Sequence, residues 1–419
     1  MKNISKALLG PKENGKNVLE RGLFTFFTLF ILFQCISIAV ANIFFGISIF
    51  FTVLIFIKNF QGFTTSQLYR NIALSRYWLG LFMFFWIAML LSAIFSGDMT
   101  LSLKKTFDWY IYRTFPFFII LFFFRDNKRS LFFILLALIS CLIDIVVGYF
   151  LMPEQATRLK GIFGHPMTLA GFICISMPIA CAYLFDWKQK ISCLVISAVL
   201  FFTFFVGLLL NGTRGAWLAV ALSVLMVGIW FSIKSWRKSV FLVLICAATA
   251  ITFSTNDRFE QRAASIVSTT FQSNTERLCM WQSAWNMFKD HPFFGVGVGK
   301  YAQKYREEYI LPQAKERLQK HAHSNIFHML GQSGSVGIIG FMTLFFGIFY
   351  FAATRIFKYR SPYAMLLFVC TSSFFVQGLT EYNFGNSAVV KYYFVIIACL
   401  IVLSSQKKLL SFFKNENNA

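Results

Sequence analysis

From Leu23 to Leu403 the chain alternates between apolar runs of 14 to 26 residues and polar breaks, all short but one. A membrane-crossing helix needs about 20 mainly apolar residues. The pattern therefore predicts twelve spans, near Leu23–Ala41, Ile43–Ile57, Tyr77–Phe95, Asp108–Phe124, Leu131–Leu151, Met167–Phe185, Ile191–Leu210, Ala216–Ile233, Val240–Phe253, Ile326–Phe351, Tyr363–Leu379 and Ala388–Leu403. The expected fold class is all-α, a polytopic membrane protein of about twelve transmembrane helices with one long helical loop. Residues 1–253 would carry the first nine spans, 254–324 the loop, and 325–419 the last three spans with a cytoplasmic tail.

The long segment Ser254–Ser324 has a helical pattern of its own. Ser273-Asn274-Thr275-Glu276 fits a capping box. Leu278, Trp281, Trp285 and Phe288 then recur at helical spacing and define an apolar face. Pro292 with the glycines at 295, 297 and 299 breaks that helix. A charged helix is expected over Tyr301–Ile310, restarting after Pro312 toward Lys320.

Composition supports the membrane reading. Only 13% of the 419 residues are charged and 57% are hydrophobic, with 55 phenylalanines, whereas soluble chains carry about 25% charged residues. The net charge of +22 would suit nucleic acid, but its placement does not. With both termini on the cytoplasmic side, the inside segments hold 22 Lys and Arg, the short outside loops six and the long loop ten. That bias is a topology signal, with anionic lipid headgroups as its partner and no nucleic acid. It puts the long loop outside. Nine cysteines include no C-x-x-C pair, and eight fall in spans, so they read as packing residues. Ala39-Val40-Ala41 resembles a signal-peptidase site, but the preceding apolar stretch is too long for that, and the first span is expected to remain uncleaved.

Ionisable groups inside spans are costly and are paired or functional. Asp108 and Arg113, five residues apart near one face, read as snorkelling side chains, and Asp144 as the deepest acid, with a structural or transport role. Glu381 and Lys391 flank the last outside turn and could pair across it. Arg214 stands in a very short outer connection between Gly212 and Gly215, where a planar guanidinium suits bidentate phosphate binding. Arg277 opens the loop helix and by itself reads as a solvated arginine. His321 and His323 lie where the loop re-enters the membrane, and Ser324 or Asn325 can cap the next helix. Histidines two apart cannot share a helix face, and no Asp, Glu or Cys accompanies them in sequence, so no metal or other cofactor is expected. A neutral histidine there can serve as a general base. His328 reads as packing, His165 as a second outside-facing candidate and His291 as an exposed loop residue. Gly295-x-Gly297-x-Gly299-Lys300 fails both the Walker and the dinucleotide fingerprints.

Three segments together resemble the O-antigen ligase and polymerase superfamily: Gly212-Thr213-Arg214-Gly215-Ala216-Trp217-Leu218-Ala219; Glu276-Arg277-Leu278 through Trp285 to Pro292-x-x-Gly295-x-Gly297; and His321-Ala322-His323-Ser324-Asn325 leading into Gly334–Gly340. The resemblance covers roughly Leu208 to Phe346 and is greatest to the O-antigen ligases. It implies metal-independent, inverting transfer of a glycan from an undecaprenyl-diphosphate carrier to a sugar hydroxyl of lipid A-core, at the periplasmic face of the bacterial inner membrane. The resemblance assigns diphosphate binding to Arg214 and Arg277 and the general base to His323, with His321 and Arg158 as possible second contributors. A polymerase or an O-linked protein glycosyltransferase would share this chemistry. A transporter using Asp144 and Arg113 would be expected to show repeats or broken helices, and the sequence shows neither.

Overall fold

The computed structural model describes residues 17–59, 66–187, 189–233, 235–266, 268 and 271–405. The lysines up to Lys16, Lys188, Lys234 and the Lys407–Lys414 tail, all part of the charge count, lie outside the described residues. Among those described there is no strand. The helices are α1 (Asn17–Phe33), α2 (Ile38–Lys58), α3 (Gln67–Leu74), α4 (Arg76–Ile94), α5 (Met99–Thr106), α6 (Phe115–Phe123), α7 (Asn127–Phe150), α8 (Pro166–Phe185), α9 (Ile191–Asn211), α10 (Arg214–Ser232), α11 (Trp236–Ser254), α12 (Asp257–Ala264), α13 (Gln272–Asp290), α14 (Tyr301–Lys304), α15 (Asn325–Tyr359), α16 (Pro362–Leu379) and α17 (Ser387–Ser405). Ten of the described helices are long and apolar enough to cross a membrane: α2, α4, α7 to α11 and α15 to α17. The chain is an all-α polytopic membrane protein.

The remaining two expected spans take other forms. The first, Leu23–Ala41, is divided: α1 ends at Phe33 and α2 begins at Ile38, with the Ser37 hydroxyl accepting the Val40 N–H. Gln34 and Cys35, between them, bond to the Ala388 carbonyl (3.1 Å) and the Ser140 hydroxyl (3.1 Å). The fourth, Asp108–Phe124, is broken into a π-turn (Phe107–Ile111), a 3-10 turn (Tyr112–Thr114) and α6. Freed carbonyls need other donors, and Trp86 Nε1 reaches the Tyr110 carbonyl at 3.0 Å. Arg113 does not snorkel. It is buried, pairs with Asp108 at 3.6 Å and donates to the Gly385 carbonyl at 2.6 Å, tying the broken span to the turn between α16 and α17.

Helices α8 and α17 are buried along almost their whole length, whereas α11 buries none of its side chains. Lipid offers no hydrophobic drive between helices, so the centre is held by side-chain packing, such as Phe374 stacked on Tyr393 at 4.2 Å. Asp144 acts structurally: its carboxylate accepts the Ile162 N–H at 2.7 Å, pinning the connection before α8.

One backbone crossing positions the loop. Helix α15 is interrupted at Gly334 (φ 62°, ψ −162°), a conformation only glycine adopts readily. Chain 292–297 lies against the break, with Val296 N–H to Gly331 O (3.0 Å), Gly297 N–H to Gln332 O (2.9 Å) and Ser335 N–H to Pro292 O (2.8 Å). A Cβ on Gly295 would stand 2.4 Å from the Gln332 carbonyl carbon, and one on Gly334 2.5 Å from that of Phe293. The glycine run is thus a docking strip that fastens α13 to α15.

Three loop expectations change. The capping box does not form, because Ser273 and Asn274 serve Arg214 instead, and Glu276 is buried with its carboxylate accepting the N–H groups of Lys315 and Glu316 at 3.0 and 3.1 Å. Those two bonds hold 315–316 against α13, and no helix restarts after Pro312. The buried face of α13 is Glu276, Cys279, Met280, Ser283, Ala284 and Met287, while Leu278 and Trp285 are exposed and only Trp281 packs inward, on Phe327. The charged helix over 301–310 does form, as α14 continued by a π-turn (Tyr305–Tyr309).

Candidate active site

The site grows from the α9–α10 junction. Gly212 ends α9 in the left-handed conformation (φ 63°), leaving backbone carbonyls free. Arg158 donates to Asn211 O and to the Thr213 hydroxyl, both at 2.9 Å, and Arg262 donates to Gly212 O at 2.5 Å. Asn211 holds the facing connection through the Leu159 and Pro166 carbonyls, each at 2.8 Å. Two loops thereby bring arginines to the mouth of the Gly212–Gly215 turn. Burial, then the guanidinium groups of Arg262, Arg277 and Arg214, push Arg158 down to about 10, against a smaller upward pull from Glu381. A bound anion would relieve that mutual repulsion.

Arg214 is already committed. Its terminal nitrogens donate to the Ser265 carbonyl (2.6 Å) and hydroxyl (2.9 Å), to Ser273 Oγ (2.6 Å) and to Asn274 Oδ1 (2.7 Å), and Phe271 stacks on the group at 4.8 Å. It therefore anchors the loop to α10. Arg277, half-buried on the second turn of α13, has no hydrogen-bond or ion-pair partner among the described residues. Its charge is available.

The second wall is the α15 entrance. Ser324 caps α15, accepting the Phe327 N–H. Asn325 donates to Asn383 Oδ1 (2.7 Å) and accepts from Phe384 N–H (3.2 Å), and this clamps the turn after α16 against the His321–Ser324 stretch. Glu381, on that turn, meets His323 with 3.0 Å between Oε2 and Nδ1. His323 itself is held at φ 46°, a costly conformation for a non-glycine residue, where strain accompanies function. Burial alone would raise the Glu381 carboxyl. The hydrogen bond from His323, with the electrostatic pull of the two imidazoles and of Arg277, outweighs burial and holds it down at about 2. An ionised carboxylate only accepts, so Nδ1 of His323 carries the proton and Nε2 keeps its lone pair. His321 differs. Its Nδ1 accepts the His323 N–H (3.3 Å), and burial, with His323, His165 and Lys320 nearby, pushes it down to about 4 despite Glu381. It is a neutral donor through Nε2.

Glu381 was flagged in the sequence only as a partner for Lys391, and that pairing does not form: Lys391 donates to Asn42 Oδ1 at 2.7 Å. Nor do His321 and His323 stand without an acid, since ligand atoms of His321, His323 and Glu381 lie within 4.8 Å of one another and could hold a metal ion. A divalent cation there would have to displace the His323–Glu381 bond beside Arg277, a charge that opposes it. His165 lies on the same side as a cavity-lining residue, His328 is buried, and His291 is exposed.

These parts describe a membrane protein whose arginine cluster and oriented histidine suit group transfer from an anionic carrier. The O-antigen ligase family model matches residues 199–342, and this match supports the O-antigen ligase/polymerase superfamily, a group of membrane glycosyltransferase-like enzymes. The matched segment contains Arg214, Arg277, His321 and His323, while Arg158 and Glu381 fall outside it. No curated protein matches the chain.

Proposed function

We propose that the protein is an O-antigen ligase, transferring a glycan from an undecaprenyl-diphosphate carrier to a sugar hydroxyl of lipid A-core at the periplasmic face of the inner membrane. The observation that carries this reading is the Glu381–His323 pair beside the unpartnered Arg277. The acceptor oxygen attacks the donor's anomeric carbon as the bond to the diphosphate breaks, so the configuration inverts. His323 Nε2 takes the hydroxyl proton, and Glu381 stabilises the imidazolium that results. The leaving diphosphate gains negative charge, which Arg277 meets first. Arg214 joins it by exchanging a bond to Ser273 or Asn274, and Arg158 and Arg262 add to the field. His321 donates through Nε2 to an oxygen of the reacting sugars.

No step requires a metal. Purified protein given lipid-linked donor and lipid A-core is expected to form the glycolipid product at full rate in excess EDTA. Loss of activity that Mg²⁺ or Mn²⁺ restores would replace this mechanism with one in which His321, His323 and Glu381 are metal ligands.

A further inference from the structure

Beside the His321–Glu381 wall lies a cavity of about 390 Å³, lined by Trp109, His165, His321, His328, Glu381 and Asn386 among others. That volume falls in the range of small-molecule sites. None of Arg158, Arg214, Arg262 or Arg277 lines it. The arginine cluster that would meet an anionic leaving group thus lies outside the cavity, whose lining carries one lysine, Lys320.

Two independent features give the cavity a sugar-binding character. The first is Trp109, carried on the π-turn of the broken fourth span and half-exposed. Its indole is fixed by Lys105 and Arg113, 5.3 and 5.9 Å from the ring centroid, while Arg113 in turn holds the Gly385 carbonyl. Apolar C–H faces of pyranose rings pack on such indoles, and its Nε1 has no partner among the described residues. The second is His328, which is 1% exposed and whose ring nitrogens find no well-aligned hydrogen bond, with Gln332 as the neighbouring side-chain partner. A buried polar ring so poorly satisfied is costly unless something enters to complete its hydrogen bonding. His328 is held between Tyr382 (3.8 Å) and Tyr301 (4.9 Å), so it cannot turn away to find a better partner.

Resting on the transfer reaction above, we infer that this cavity is the acceptor subsite, with a pyranose of the acceptor oligosaccharide stacked on Trp109 and one of its hydroxyls bonded to His328. In an inverting displacement the attacking oxygen enters opposite the leaving group. A cavity free of the cluster's arginines, yet walled by Glu381 and His321, meets that requirement.

The test uses the full-length protein in detergent with a delipidated core oligosaccharide as acceptor and undecaprenyl-diphosphate-linked glycan as donor. Trp109→Leu keeps apolar bulk without a ring face, and Trp109→Phe restores one. Trp109→Leu is expected to raise acceptor KM about 10-fold and leave donor KM unchanged, with Trp109→Phe recovering most of the loss. Oligosaccharide binding measured without donor should weaken by the same factor. A raised donor KM, unchanged acceptor binding, or equal losses in the Leu and Phe variants would overturn the assignment. If the wild-type protein transfers nothing, the reaction proposed above fails, while the binding measurement still decides the cavity's role.

Discussion

Replacing Glu381 with Gln removes a charge while keeping the volume, so it isolates what the carboxylate does for His323. The bond is 3.0 Å long and Glu381 is buried. A charge-assisted hydrogen bond of this kind contributes roughly 1.5–3 kcal/mol, which by itself converts to about 10- to 150-fold in rate. A glutamine can also turn its NH₂ toward Nδ1 and force the proton onto Nε2, abolishing the base. That tautomer error costs about 10⁴-fold in serine hydrolases with an Asp–His pair. The expected result is a kcat lowered by about 10²- to 10⁴-fold, with donor KM within about threefold of wild type because Arg277 is untouched. The assay is steady-state transfer with purified protein, varying each substrate in turn. A kcat within threefold of wild type, or a loss confined to donor KM, would show that the carboxylate does not orient the base.

Arg277→Ala is expected to abolish transfer at normal protein levels and Arg277→Lys to restore little, since a point charge lacks the bidentate fork; Arg214→Ala should also loosen the loop, seen as faster proteolysis between 255 and 290. Gly334→Ala should lower thermal stability by more than the roughly 1–3 kcal/mol of the φ/ψ strain, because its Cβ would stand 2.5 Å from backbone; unchanged melting in detergent would refute the strip docking. His321 is neutral down to about 4 in the folded protein but titrates near 6.5 when unfolded. Its contribution, at most about 3 kcal/mol, is therefore present above pH 6.5 and lost as pH falls toward 4. His321→Gln should flatten that part of the melting-temperature profile.

The spans were legible because lipid demands unbroken apolar runs, and α4, α7 to α10, α16 and α17 begin and end within a few residues of where hydropathy places them. The Arg214 turn and the Ser324 cap were legible too, since short-range chemistry determines both. What was hidden is long-range. Glu381 reaches His323 across 58 residues because Asn325 holds Asn383, a side-chain clamp with no local signature. The available signal was an acid in a short turn between two apolar helices, a placement that is expensive without a partner. The capping box misled for a related reason: Ser273 and Asn274 have the right local pattern, but Arg214 from another helix outbids the α13 N–H groups for their oxygens. The fourth span broke where Trp86 and Gly385 supply bonding partners from elsewhere in the fold.

The central claim, that His323 accepts the proton of a lipid A-core hydroxyl during ligation, is tested most directly by the lipopolysaccharide of cells whose only copy carries His323→Ala. The arginines should still hold the donor diphosphate, so lipid-linked chains of normal length distribution should accumulate while gels show bare core. Core bearing a single repeat would instead mean that the protein extends chains rather than attaching them, and core carrying full-length chains would mean that His323 is not the base.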